Sequence, residues 1–146
     1  MRLILQRVSS GRVEVAGEVI ASIDFGLLVF VAVERSDGPE QVSVAVRKLS
    51  ELRLFEDDAG RFNRNAREAG AQFLIVSQFT LVASLRRGRR PSFDRAAPPE
   101  EARRLVDSLN DQLRDQGFVV ETGRFGARMD VVLSNQGPAT FCLDIE

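Results

Sequence analysis

Three stretches of the chain hold residues whose types and spacing could do chemistry. The first is Ser77-Gln78-Phe79-Thr80-Leu81, which follows the compact apolar run Phe73 to Ser77. A buried strand fixes whatever polar residues stand at its end, so this is a rigid place to build a site. Two hydroxyls and several backbone N–H groups there could receive a carbonyl oxygen as negative charge develops on it. The same residues also fit a strand that continues past a polar pair, with Thr80 serving β-propensity. The second is Asn135-Gln136-Gly137-Pro138-Ala139-Thr140, whose local composition reads as a hairpin or tight loop between two apolar strands. The third is an arginine cluster, with Arg86, Arg87, Arg89, Arg90 and Arg95 within ten residues and Phe93 among them. Guanidinium groups can pair with phosphates while an aromatic ring stacks on a base, or the stretch can be a solvated charged loop.

The residues that are missing constrain the chemistry further. There is no histidine and only one cysteine, Cys142. A Ser-His-Asp or Cys-His centre is therefore excluded, as is every zinc site that uses imidazole or a thiolate cluster. An enzyme of this composition must work with carboxylates, hydroxyls, arginines, backbone amides or groups on its own substrate. Glu56-Asp57-Asp58 could offer oxygens to a divalent cation, but with Ala59-Gly60 following it reads first as a solvated turn.

The elements that must position these residues follow from length and periodicity. A chain of 146 residues suits one domain able to bury a core of its own. With 44% hydrophobic and 28% charged residues, the composition is that of a globular protein. Net charge is −1, and all basic residues but Lys48 are arginines, the side chain that grips phosphate or carboxylate in a bidentate way. The start of the chain shows no long apolar segment of a leader peptide, and Phe25 to Val33 is too short to span a bilayer as a helix. These features, with no disulfide possible, lead us to expect a cytoplasmic protein with no membrane partner.

Short strands are expected at Leu3 to Val8, Val13 to Val15 and Glu18 to Ile23, separated by Ser9-Ser10-Gly11 and Ala16-Gly17. Leu27 to Val33 reads as a strand buried on both faces. Pro39 stands near the start of a helix whose Val42, Ala45, Val46 and Leu49 form one apolar stripe. Strands are expected again at Leu52 to Phe55 and Phe73 to Ser77, followed by an excursion over residues 84 to 99. Pro98-Pro99 opens a second helix through Gln116, with Ala102, Leu105, Val106, Leu109 and Leu113 inward and Gly117 as its cap. Three closing strands are expected at Phe118 to Thr122, Met129 to Leu133 and Ala139 to Ile145. The sum is a single α/β domain with a mixed, barrel-like sheet and two main helices.

Taken together, the motifs resemble the bacterial and eukaryotic-type D-aminoacyl-tRNA deacylases over essentially the whole length. Gln6-Arg7-Val8, Leu52-Arg53-Leu54-Phe55-Glu56-Asp57, Ser77 to Leu81, Gly88-Arg89-Arg90-Pro91-Ser92-Phe93, Ala97-Pro98-Pro99 and Gly137-Pro138-Ala139-Thr140 stand in the family's order. Gln136 and Ala139 replace the family's usual Asp and Val, while Gly137, Pro138 and Thr140 are kept. Retention of Phe79 and Thr80 separates the chain from the animal-type branch.

The resemblance implies hydrolysis of the ester in D-aminoacyl-tRNA, without metal or cofactor, by a homodimer that receives the aminoacyl-tRNA 3′ end. It implies that Gly137-Pro138 is a cis dipeptide which one subunit inserts into the active site of the other. Ser77, Gln78, Phe79 and Thr80 would form the catalytic segment. Arg7 would hold the Gly-Pro loop, and Phe93 with Arg90 and its neighbours would receive the terminal adenosine or phosphates. The substrate's own vicinal ribose hydroxyl would orient water, which makes the missing histidine intelligible. Backbone N–H groups near Phe79 and Thr80 would stabilise the oxyanion, a contribution of about 2.7–4 kcal/mol per donor in other hydrolases. Thr80 as nucleophile ranks second, because the sequence offers it no partner base. A noncatalytic module for the tRNA end, and a metal-dependent hydrolase built on Glu56, Asp57 and Asp58, are the other readings.

Overall fold

The first strand organises the molecule. A computed structural model describes residues 1–86 and 88–146, and in it β1 runs unbroken from Arg2 to Val15. Its partners on one edge are β2 (Glu18–Ile23) and β3 (Gly26–Ala32), which follow one another antiparallel to it. On the other edge lies β8 (Asp130–Asp144), antiparallel from Arg2↔Asp144 to Glu14↔Asp130. Two parallel neighbours extend the sheet beyond β3, first β6 (Gln72–Ser77) and then β7 (Val120–Thr122). A small separate ribbon pairs β4 (Phe55–Glu56) with β5 (Phe62–Arg64). The result is a mixed sheet that curls on itself, accompanied by two helices, α1 (Pro39–Glu51) and α2 (Pro99–Asp115).

Both faces of the sheet are buried, as the continuous apolar run of β3 requires. Leu27, Val29 and Val31 join Phe73 and Ile75 in the core beneath the helices, with Val42, Leu49, Leu105 and Leu109 opposite. Leu28, Leu74 and Val76 point the other way, into a second cluster with Val8, Val13, Ala21 and Ile23. Alternation along one strand thus supplies two cores.

Helix ends follow their local chemistry. Pro39 occupies the first turn of α1, and Gln41 Oε1 accepts from the Gly38 N–H at 2.9 Å. After α2, Gly117 takes φ +86°. Its N–H donates to Arg114 O at 2.8 Å, and the Phe118 N–H donates to Leu113 O at 3.3 Å. These two bonds form a Schellman closure, which needs the left-handed residue that glycine supplies most cheaply. The chain start is tied down as well: the Met1 ammonium donates to Asp37 Oδ1 at 2.7 Å and to Ile145 O at 2.8 Å.

Four expectations need correction. Ser9-Ser10-Gly11 does not split β1, because β8 lies alongside and pairs Ser10 with Ser134 and Gly11 with Leu133. Asn135 to Thr140 is no hairpin; it is an irregular stretch inside the single strand β8, so the closing strands number two and not three. At Leu52 to Phe55 only Phe55 is in a strand, which pairs across the turn at residues 57–60 with Phe62–Arg64. Finally, the strand does not continue past Ser77 and Gln78: residues Phe79–Val82 form a 3₁₀ turn.

The tightest point of the sheet is where β3 enters beside β6. A Cβ on Gly26 would lie 1.9 Å from the backbone oxygen of Gln72, a group that cannot move without parting two strands. Gly26→Ala is expected to cost about 1–3 kcal/mol or more, as overpacked interiors do, read as a lowered urea midpoint. An unchanged midpoint would show that the strands separate freely.

Candidate functional site

Strands β3 and β6 run parallel and end side by side, and a pocket of about 780 Å³ opens beyond their carboxyl ends. This is where open α/β sheets place ligands, because the loops leaving parallel strands diverge there. Ser77, Gln78 and Phe79 line it where β6 ends, and Val31, Val33 and Val76 form its floor. Much of the remaining lining is apolar: the Ala97-Pro98-Pro99 motif contributes to it, together with Phe125 to Ala127, Met129 and Val131, which carry no evident signature. Sequence reasoning missed these, since small and apolar residues in a pocket wall look like those in a core.

The 3₁₀ turn sets the polar groups of the pocket. Gln78 N–H is spent on Val31 O at 2.8 Å, anchoring the end of β6 to β3. Leu81 N–H donates back to Gln78 O at 3.2 Å, and Ala83 N–H donates to Thr80 O at 3.1 Å. The N–H groups of Phe79 and Thr80 stand at the opening of the turn, where a helix leaves its first donors unsatisfied. Neither has a backbone acceptor among the described residues. Gln78 Nε2 donates to Thr80 Oγ1, and Thr80 itself is exposed and outside the pocket lining. No carboxylate or other base contacts its hydroxyl among the described residues.

Phe79 and Phe93 form the mouth. Their rings lie 5.0 Å apart between centroids, and both remain well exposed, Phe79 at 57% and Phe93 at 37%. Phe93 sits on the excursion, which is fastened at its base. Ser84 and Ser92 exchange backbone bonds at 2.8 and 3.0 Å. Arg95 grips the Glu34 carboxylate, with its closest contact at 2.7 Å, while Arg35 Nε donates to Asp94 O at 2.7 Å. Arg86, Arg89 and Arg90 are exposed at the tip and do not line the pocket. Arg87 lies outside the described residues.

Gly137 and Pro138 are elsewhere. The Gly137-Pro138 bond is cis, and both residues are exposed in the irregular part of β8. Gly137 lines a smaller cleft of about 290 Å³ together with Arg7, Phe55, Glu56, Arg64 and Gln136. A single chain therefore does not bring Gly137-Pro138 and Ser77 to Phe79 into one cavity. The acidic run is already engaged. Glu56 binds Arg7, Asp58 binds Arg64 at 2.7 Å, and Asp57 is caught in its own turn. Backbone N–H bonds from Arg61 and Ala59, with the Asn63 amide, hold the Asp57 carboxyl below the usual carboxylate range. No group of three metal-ligating side chains occurs among the described residues.

Fold and cleft define a single-domain α/β protein whose apolar pocket is built at the ends of two parallel strands. A family model described as D-Tyr-tRNA(Tyr) deacylase matches residues 4–144. A D-aminoacyl-tRNA deacylase of Thermomicrobium roseum is 51% identical over 144 residues, which covers 99% of this chain and 94% of the relative. One from Pseudomonas putida is 51% identical over 145 residues, with 99% and 100% covered. Among solved structures, a c-Myc DNA unwinding element binding protein superposes with a TM-score of 0.93 at 33% identity, covering 100% of this chain and 99% of the other. A probable eukaryotic D-amino acid tRNA deacylase shares the fold with a TM-score of 0.84 at 20% identity, covering 99% and 98%. The chain belongs to the D-Tyr-tRNA(Tyr) deacylase family, and with it to the carboxylic ester hydrolases.

The placement of Thr80 yields a direct test. Its hydroxyl is held by Gln78 and touches no base, so Thr80→Ala is expected to keep ester hydrolysis within about 10-fold of the parent. Loss of a true nucleophile costs on the order of 10⁶ in kcat. A single-turnover measurement separates the two, and a loss beyond about 10³-fold would make the hydroxyl the attacking group.

Proposed function

We propose that the chain hydrolyses the ester joining a D-amino acid to the 3′ end of tRNA, releasing the free amino acid and tRNA. The observation that carries this reading is the pair of N–H groups, Phe79 and Thr80, that find no acceptor among the described residues and stand beside an apolar pocket at the end of β6. Two donors fixed by a rigid strand suit an oxyanion, and they need no reorganisation when charge develops. Nothing in this scheme calls for a histidine. The ester is an activated one, and the vicinal ribose hydroxyl of the substrate orients the attacking water.

Chirality is handled by exclusion. Gly137-Pro138 projects from an exposed stretch of β8 and lies apart from the pocket of its own chain. That separation supports a homodimer in which each subunit lends this dipeptide to its partner's pocket. Carbonyls of Gly137 and Pro138 facing the substrate α-carbon bind the amino group and leave no room for an L side chain. A D side chain points outward to solvent, so many amino acids are accepted. Glycine has nothing to exclude, and glycyl-tRNA mischarged on tRNA-Ala is therefore also a substrate. Arg7 holds the dipeptide from its own chain. Phe93 and Arg90 take the terminal adenosine and nearby phosphates. The role is translational quality control, in the cytoplasm; no helix among the described residues is long and apolar enough to cross a membrane.

A second reading is a nucleic-acid-binding module without turnover, favoured by the DNA-element-binding name of one structural neighbour at 33% identity. Rates on matched D-, L- and glycyl-tRNA decide between them. D- and glycyl-tRNA are expected to be cleaved, with the L form spared by roughly 10²-fold or more. Binding of all three with cleavage of none would favour the module, and equal cleavage of D and L forms would remove the chiral filter. Light scattering should find two copies of the 16.2 kDa chain per particle.

A further inference from the structure

Arg7 is the one arginine among the described residues that is buried, at 3% exposure. Its Nη1 donates to Leu54 O at 3.1 Å, its Nη2 to Glu56 Oε1 at 2.8 Å, and its guanidinium lies 5.5 Å from the Phe62 ring centroid. Nε is buried with no partner among the described residues. The ribbon of β4 and β5 thus holds this cation by a backbone carbonyl, a carboxylate and an aromatic face. Glu56 supplies its only counter-charge among the described residues, from a side chain that is itself 45% exposed.

The position of Arg7 on β1 is singular. Gln6 pairs with Thr140 and Val8 with Asn135, so two steps along β1 answer five along β8. Of the surplus, Gln136, Gly137 and Pro138 stand exposed opposite Arg7, while Ala139 is buried. Asn135 Oδ1 closes the neck by accepting from Gln6 Nε2 and from Thr140 Oγ1, each at 3.2 Å. Below the neck, Arg7, Glu56, Gln136 and Gly137 line one cleft.

We propose that Glu56 is a positioning residue for the Gly137-Pro138 bulge, acting through Arg7. The inference rests on the reading of Gly137-Pro138 as the chiral filter and adds the residue that sets its place. Once its carboxylate is removed, a buried guanidinium must find another acceptor, since an uncompensated charge in such a site is strongly disfavoured. Gln136 and Gly137 share its cleft, and we take their carbonyl oxygens as the acceptors it would turn to. Re-pairing with them pulls the bulge inward, away from where a substrate would meet it. Misplacement by about 1 Å can cost a reaction about 100-fold.

Glu56→Ala, Glu56→Gln and Glu56→Asp test this in the full chain. With D- and L-aminoacyl-tRNA as probes, Glu56→Ala should lower kcat on the D form by about 10–100-fold with KM little changed, and narrow the D:L ratio. Glu56→Gln keeps an acceptor for Nη2 but not the counter-charge, and should recover only part of the loss. Glu56→Asp draws the oxygen back by one methylene and should fall between, serving also where the alanine variant does not fold. A merely structural role would lower activity on both substrates together and leave the ratio intact, which would overturn the proposal. Hydrogen exchange supplies a readout free of activity: the amides of Gln136, Gly137 and Ala139 should change their exchange rates in Glu56→Ala as the bulge is re-seated, while those of α1 should not. Unchanged exchange at the bulge would equally overturn it. Should the parent chain cleave D and L forms equally, the chiral reading fails by itself, and exchange still decides whether Glu56 holds the bulge.

Discussion

The pairing of the first strand with the last is the constraint on which the rest of the structure depends. β1 lends one edge to β2 and β3 and the other to β8, so every strand of the main sheet is reached through it. Because the partners come from opposite ends of the chain, closing this ladder fixes the whole topology at once, and its entropy cost must be met by contacts that form together. A side-chain tie marks one end. Arg2 binds Asp144 at 2.6 Å and lowers that carboxyl, so the small gain it brings is present above the ordinary carboxylate range and fades as pH falls through the lowered value.

From that ladder the two candidate motifs inherit different placements. β3 is held by β1 and carries β6 as a parallel neighbour, so Ser77 and Gln78 arrive at a strand end that cannot drift. The 3₁₀ turn after them exposes two amide donors for the reason every helix start does: the carbonyls that would accept lie outside the turn. The irregular stretch of β8 solves the opposite problem. Gln136, Gly137 and Pro138 leave the ladder opposite Arg7 and reach solvent, while Asn135 keeps the ladder closed behind them. One motif is recessed and the other projects.

Parts of this were legible from residues alone. The apolar stripes of Val42, Ala45, Val46 and Leu49, and of Leu105, Val106, Leu109 and Leu113, could only be satisfied by helices against a core, and all of these side chains are buried. The Phe73 to Ser77 strand delivering polar residues to its end was legible for the same local reason. The pocket wall was not. Phe125 to Ala127 and Met129 reach it by a loop whose path depends on where α2 and β7 pack, and no periodic signal records that. The partner of Arg7 was hidden too: Glu56 reads as one acid of a solvated turn until the ribbon folds over β1.

By itself the sequence determined the helices, the doubly buried strands and the restriction to chemistry without imidazole or a thiolate cluster. Spacing and composition are local quantities, and they survive any arrangement of the elements. Only the tertiary structure decided that Ser9-Ser10-Gly11 and Asn135 to Thr140 remain in strands. Such residues turn when water satisfies their backbone and stay extended when a neighbouring strand does; here Ser10 and Gly11 lie against Ser134 and Leu133 of β8, and Asn135 and Thr140 against Val8 and Gln6 of β1. It also decided that the two motifs lie in separate cavities of one chain. That outcome was set by register, in which a few surplus residues opposite Arg7 move a dipeptide from the sheet to the surface.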